Sequence, residues 1–211
     1  MTIASRCTCC GIVPPAVLRH IARAGTGPQR EAALATLATD ATHRLSRATT
    51  QLLERDVRHS RLTAAPAAKQ RTIYNANHRT ALPGKVMRNE GDGKTKDAEA
   101  DEAFDGLGTT FDFYWNVYRR NSIDDAGMHL DASVHYGRKY DNAFWNGAQM
   151  VFGDGDGDLF NRFTASLDVI AHELTHGVTG DEVNLVYVDE SGALNESVSD
   201  VFGSLVKQYA K

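Results

Sequence analysis

Val169-Ile-Ala-His-Glu-Leu-Thr-His-Gly-Val178 decides the reading of this chain. An α-helix turns about 100° per residue, so His172 and His176 stand about 40° apart on one face and can offer ring nitrogen to one metal ion. Glu173 follows one residue round. Zinc in a hydrolytic site takes three protein ligands and leaves the fourth position to water, whose pKa it lowers to about 7. The pattern H-E-x-x-H therefore predicts a zinc site with its own general base, lacking only a third ligand.

Working outward, Asn195-Glu-Ser-Val-Ser-Asp200 lies within Ser191–Val206, which reads as a second helix with Ser191 as its N-cap. Glu196 is the third ligand on this reading. Asp200, four residues on, shares its face and is placed to accept the free N–H of a ligand histidine and fix its tautomer. A different zinc arrangement would need a third histidine six residues after His176 with glycine three before it; those places hold Glu182 and Thr179.

Composition sets wider bounds. With 211 residues, 42% hydrophobic and 24% charged, the chain suits one or two soluble domains with a sizeable core. No run of about eighteen apolar residues occurs, so no membrane span is expected. Residues 1–10 have neither the basic n-region nor the apolar h-region of a secretory signal. Cys7, Cys9 and Cys10 are the only cysteines. Crowded and odd in number, they make no disulfide framework and read as free thiols on a frayed terminus, a thiolate cap on the metal being the less favoured alternative.

Charge divides the chain. Residues 1–71 carry 11 Lys plus Arg against 4 Asp plus Glu, and residues 72–211 carry 12 against 23, so +7 faces −11 within a total of −4. Halves of opposite sign can dock on each other. Contact with nucleic acid or an acidic membrane is the other reading of a basic segment. It ranks below self-docking, because the segment has no aromatic interleaving, no dense basic block and a single lysine.

Leu34, Leu37, Ala41, Leu45, Ala48 and Leu52 recur at spacings of three and four, predicting an amphipathic helix that packs by that stripe. Ser60–Gln70, small, polar and proline-bearing, reads as an exposed tether open to proteolysis. Thr72–Ala76 and Lys85–Arg88 read as strands, and Phe104, Leu107, Phe111, Tyr114, Trp115 and Tyr118 as the core stripe of a helix. Leu130, Ala132, Val134 and Tyr136 alternate as in a half-buried strand. His129 and His135 fall on its other face without a ligand-spaced companion, and read as surface or structural histidines. Asn142–Gly147 reads as an edge strand ending in a turn. Gly153-Asp-Gly-Asp-Gly-Asp158 is no EF-hand, since the sixth and twelfth places from Asp154 hold Leu159 and Ala165 rather than glycine and glutamate; it reads as a glycine-rich turn.

The two motif helices, with Arg71-Thr-Ile-Tyr-Asn-Ala76, Leu82-Pro-Gly84, Ser133-Val-His-Tyr136, Asn142-Ala-Phe-Trp-Asn-Gly147 and Gly153-Asp-Gly-Asp-Gly157, resemble the thermolysin family of gluzincin zinc metalloendopeptidases, and more narrowly its protealysin-like branch. The resemblance implies an α+β fold: a lobe over residues 71–211 with a sheet and long helices carrying one catalytic zinc, a linker over 61–70, and a helical pro-segment over 1–60. Gly11-Ile-Val-Pro-Pro-Ala-Val-Leu-Arg-His-Ile21 is similar to the branch's pro-segment, which lies near the cleft and acts as an intramolecular inhibitor. Its two prolines should hold the backbone extended.

By the same resemblance, Zn2+ is held by His172, His176 and Glu196, Glu173 is the base and Tyr187 donates to the developing oxyanion. Asn142, Ala143 and Trp145 bind the backbone of a polypeptide substrate, and Phe160, Phe163 and Val169 line a pocket favouring cleavage before Leu, Phe, Ile or Val. The family's double Ca2+ site uses an aspartate matching Asp168 and a glutamate replaced here by Lys207, so at most weak calcium binding is expected. The family implies secretion, whereas the cysteines and the absent signal suggest a cytoplasmic, reducing compartment. The family's second helical lobe supplies an assisting histidine and arginine that a chain ending at Lys211 does not contain. Two readings stay open: a metalloendopeptidase precursor, truncated or of reduced activity, and a non-catalytic zinc-binding lobe that acts as an interaction module.

Overall fold

The computed structural model describes residues 11–53, 68–183, 185 and 189–211. Cys7, Cys9, Cys10, Tyr187 and most of the 61–70 tether lie outside them. One mixed sheet carries strands β1 (Arg71–Asn75), β2 (Lys85–Asn89), β3 (Leu130–Val134), β4 (Ala143–Trp145) and β5 (Met150–Phe152) in the order β2-β1-β3-β5-β4. β1, β3 and β5 run parallel, while β2 and β4 pair antiparallel at the two edges. The segment expected to be an edge strand, Asn142–Gly147, is one.

β3 keeps the alternation read in the sequence, with Leu130, Ala132 and Val134 buried and Asp131 partly exposed, except that Ser133 on the polar face is buried as well. The cause is its place between β1 and β5. Its polar face is satisfied within the fold, since Ser133 Oγ donates to Pro83 O at 2.7 Å and accepts from Gln149 Nε2.

Helix α3 (Ala98–Tyr118) starts at Asp97, whose carboxylate caps Glu99 N and Ala100 N, as N-cap aspartates do. Its aromatic stripe enters the core as expected through Phe104, Leu107, Phe111 and Tyr114, but Tyr118 at the last turn is half exposed. α4 (Leu167–Val183) lies against α3 and the sheet with Ile170 and Leu174 fully buried. Burying such side chains is worth roughly 1.5–3 kcal/mol each, which anchors the helix that carries H-E-x-x-H. α5 (Asp189–Tyr209) begins two residues before the expected cap, Ser191.

The N-terminal part forms α1 (Pro15–Ala24) and α2 (Gly27–Leu53). Only the first proline of the pair is extended, with Pro14 at φ −61°, ψ 143°. Pro15 opens α1, where a missing N–H costs nothing. α2 packs by part of the stripe read in the sequence, since Leu37 lies on the core cluster, while the side chains of Leu45, Ala48 and Leu52 lie outside the described ones. Leu34 is 53% exposed, whereas Ala33, Thr36 and Asp40 are buried. The helix docks through Ala33 and Leu37 on the core and through Thr36 and Asp40 against the loop after β3, a polar contact that hydrophobic periodicity alone does not show.

Candidate metal centre and cleft

α4 and α5 pack side by side and bring three donors together. His172 Nε2 and His176 Nε2 are 3.0 Å apart, His172 Nε2 is 3.3 Å from Glu196 Oε2, and His176 Nε2 is 3.7 Å from Glu196 Oε1. A tetrahedral ion with arms of about 2.0–2.1 Å has edges of about 3.3–3.4 Å between its ligands. The observed triangle fits zinc. Glu196 Oε1 is buried and accepts no hydrogen bond among the described residues. Burial opposes a charge on His172, but the Glu196, Glu173 and Asp200 carboxylates outweigh it and push the ring up to about 8. An environment that favours cationic charge on that ring also favours a divalent ion beside it.

The outer nitrogens have partners. His172 Nδ1 lies 2.9 Å from Asp200 Oδ1, an ion-pair contact whose angle falls short of a hydrogen bond. On the other ring, Nδ1 of His176 is 2.8 Å from Asn195 Oδ1 and 2.9 Å from Ser199 Oγ, and Thr179 Oγ1 donates to Asn195 Oδ1 at 2.8 Å. Such partners set ring orientation and tautomer. Sequence reasoning gave Asn195 and Ser199 no role, although both stand inside the motif that supplied Glu196 and Asp200. Glu182, where the alternative third histidine would stand, pairs with Arg120 beside Asp181.

Glu173 is buried between this centre and the edge strand, where its Oε2 accepts the Trp145 N–H at 2.9 Å. That N–H therefore holds the carboxylate in place. One ligand atom each from His172, Glu173 and His176 falls within 4.8 Å of the others.

The other edge-strand residues are covered by the N-terminal segment. Ile12 N donates to Ala143 O at 3.2 Å and Val13 N to Asn142 Oδ1 at 2.9 Å, while Asn142 Nδ2 reaches Val13 O at 3.3 Å. Gly11 runs so close that an ideal Cβ there would lie 2.7 Å from Asn142 Nδ2. α2 reinforces this contact. Both Asp40 oxygens are engaged, by Tyr140 OH at 2.5 Å and Asn142 Nδ2 at 2.9 Å, and Thr36 Oγ1 accepts from Asp141 N at 3.0 Å. His43 reaches Tyr136 OH at 2.8 Å and lies against the Phe144 ring. Asn142 and Ala143, named from the sequence as substrate contacts, are the atoms this chain's own extended segment holds.

Phe160 and Phe163 stack at 5.9 Å between ring centres, and Phe160 and Val169 pack on the same core cluster. The Gly153–Asp158 stretch is a turn, with the Asp156 carboxylate accepting three successive N–H groups from Asp158 to Phe160. Lys207 Nζ donates to Asp168 Oδ2 at 2.8 Å.

Two outcomes follow from this packing. Gly203 lets α5 approach α4, since a Cβ there would lie 2.7 Å from Asp168 O and 3.4 Å from the His172 Cβ. Gly203→Val should push the helices apart, cost about 1–3 kcal/mol and weaken zinc binding at least tenfold, as read by competition with a chelating dye. Zinc at about a hundred times its Kd for the His172 centre should stabilise the chain by about 2.7 kcal/mol through that centre, a share of roughly 5–10 °C in melting temperature that His172→Ala removes.

The family Thermolysin metallopeptidase, catalytic domain, matches residues 35–180, and its alpha-helical domain matches residues 183–211. The chain belongs to the thermolysin metallopeptidase family. It is 50% identical over 200 residues to an extracellular metalloprotease of Pectobacterium carotovorum subsp. carotovorum, covering 95% of this chain and 56% of that protein. To a thermolysin of Alicyclobacillus acidocaldarius subsp. acidocaldarius it is 49% identical over 140 residues, 65% of this chain and 26% of that one. The solved precursor of protealysin, a metalloproteinase from Serratia proteamaculans, superposes with a TM-score of 0.80 at 49% identity, over 95% of this chain and 56% of that chain. The chain thus spans about half the length of the Pectobacterium and Serratia proteins and about a quarter of the thermolysin. The α+β fold and the family read from the motifs agree with these likenesses.

Proposed function

We propose that the chain carries the zinc-binding part of a neutral metalloendopeptidase in precursor form, with His172, His176 and Glu196 as zinc ligands. The observation that carries this is the placement of Glu173: buried, fixed by Trp145 N–H, and set beside the donor triangle. Zinc, when bound, supplies Lewis-acid chemistry to a water and a peptide carbonyl. Glu173 accepts the water's proton and passes it to the leaving amine. Tyr187, outside the described residues, is assigned the hydrogen bond to the oxyanion.

The substrate is an extended polypeptide added to the β4 edge through Asn142 and Ala143, with Trp145 contributing main chain beyond the N–H that Glu173 uses. Phe160, Phe163 and Val169 form the pocket that selects a large apolar residue after the scissile bond. Residues 1–60 are the pro-segment, joined through 61–70 to the lobe from 71 onward, and they inhibit by occupying Asn142 and Ala143. The Lys207–Asp168 contact argues for weak calcium binding at most. Release from the cell is supported by the relative named as extracellular. No described helix is long and apolar enough to cross a membrane.

Exposed Val183, Leu194 and Val201 on α4 and α5 support a second reading, a zinc-binding lobe that pairs with another polypeptide. Hydrolysis of furylacryloyl peptides with Leu or with Asp after the scissile bond, before and after limited proteolysis of the N-terminal segment, separates the two. Chelator-sensitive turnover favouring Leu is expected. Zinc bound without turnover in the trimmed protein would favour the pairing lobe.

A further inference from the structure

His78, His135 and Asp154 follow β1, β3 and β5, the three parallel strands, and meet at the N-terminus of α3, where Asp97 is the cap and Glu99 stands in the first turn. Loops after the carboxyl ends of parallel strands commonly build ligand sites. The His135 side chain, which its position in the sequence leaves without a companion, is surrounded here. Its Nδ1 is 3.0 Å from Asp154 Oδ1 and 3.6 Å from Glu99 Oε2, and His78 Nδ1 is 3.3 Å from Asp154 Oδ2.

On the far side of the ring, His135 Nε2 is 2.9 Å from Asp97 Oδ2, while Asp97 Oδ1 is fixed by Glu99 N and Ala100 N. An ionised carboxylate only accepts, so it holds the Nε2–H and turns Nδ1 toward the other carboxylates, the arrangement by which carboxylates orient metal-binding histidines. Glu99 Oε2 is a buried atom that receives no hydrogen bond among the described residues. Leaving it so is costly: no described ion pair links Glu99 to any group but His135, and Arg162, whose charge reaches Glu99 only at longer range, is paired with Glu102. Burial, and then the Asp154 charge, push Glu99 up to about 8. Ligand atoms of Glu99, His135 and Asp154 lie within 4.8 Å of one another, a span that one ion with bonds of about 2.0–2.2 Å can draw together.

We propose that Glu99, His135 and Asp154, with His78 as a fourth donor, form a second divalent-metal site that shares no residue with the His172 centre. Mixed imidazole and carboxylate donors suit zinc, cobalt or manganese, whereas calcium sites are built from oxygen. The ion takes the place of the proton at His135 Nδ1 and supplies the positive charge that Glu99 and Asp154 face. It ties the ends of three strands to α3.

The chelator-stripped full chain is titrated with Zn2+, and retained metal is measured by mass spectrometry after gel filtration. Two equivalents are expected for the unaltered chain, one for His172→Ala and one for the volume-preserving pair Glu99→Gln and Asp154→Asn. If that pair does not fold, Glu99→Gln alone is used and should weaken the second equivalent at least tenfold. A single equivalent that His172→Ala removes would overturn the proposal and leave a cluster that binds protons only. Failure of the His172 centre shows separately, as an equivalent that His172→Ala does not remove.

Discussion

Glu173→Gln should lower kcat/KM for peptide hydrolysis by the trimmed protein at least about a hundredfold while leaving zinc content unchanged. General acid–base catalysis contributes about 10²–10⁴ to rate, and among the described residues Glu173 is the carboxylate both held at the edge strand and close to the two histidines. Glutamine keeps the shape, and its amide oxygen can still accept from Trp145 N–H. The substitution therefore removes proton transfer and little else. Steady-state kinetics on a furylacryloyl dipeptide, with zinc measured on the same sample, reads both quantities. Activity within a few-fold of the unaltered protein would remove Glu173 from the mechanism.

The second large effect concerns latency. Asp40 is 2% exposed and both its oxygens accept from buried donors, Tyr140 OH and Asn142 Nδ2. Asp40→Ala leaves the Tyr140 hydroxyl without this acceptor and Asn142 Nδ2 with Val13 O alone, at about 1–3 kcal/mol for each bond lost. Undocking of the N-terminal segment should become easier by about 3 kcal/mol, on the order of a hundredfold in the open population. Trypsin acting at Arg19 and Arg23, both exposed on α1, reports that population when opening is fast relative to cutting. Asp40→Asn, which can still accept from Tyr140, should show a smaller rise. An unchanged cleavage rate in Asp40→Ala would mean that this clasp does not hold the segment.

The grouping of His172, His176 and Glu196 was legible because its spacing is a property of single helices. Four residues along α4 and four along α5 fix which side chains share a face, and those faces meet. Asn195 and Ser199 escaped notice for want of a rule that assigns roles to the polar residues between ligands. The leucines of α2 show only part of its docked face, because Thr36 and Asp40 find partners more than a hundred residues away. The surroundings of His135 are likewise tertiary: Asp97, Glu99, His78 and Asp154 come from three other segments, and no spacing along one strand announces them. The burial of Ser133 on the polar face of β3 has a related cause, since strands on both sides and a polar network cover it.

In the proposed enzyme, one zinc ion joins α4 to α5. Zinc retained after dialysis, compared between the unaltered chain and Glu196→Ala, tests it most directly. One equivalent fewer in the variant, with its helical signal intact, is the expected result; equal retention would contradict it.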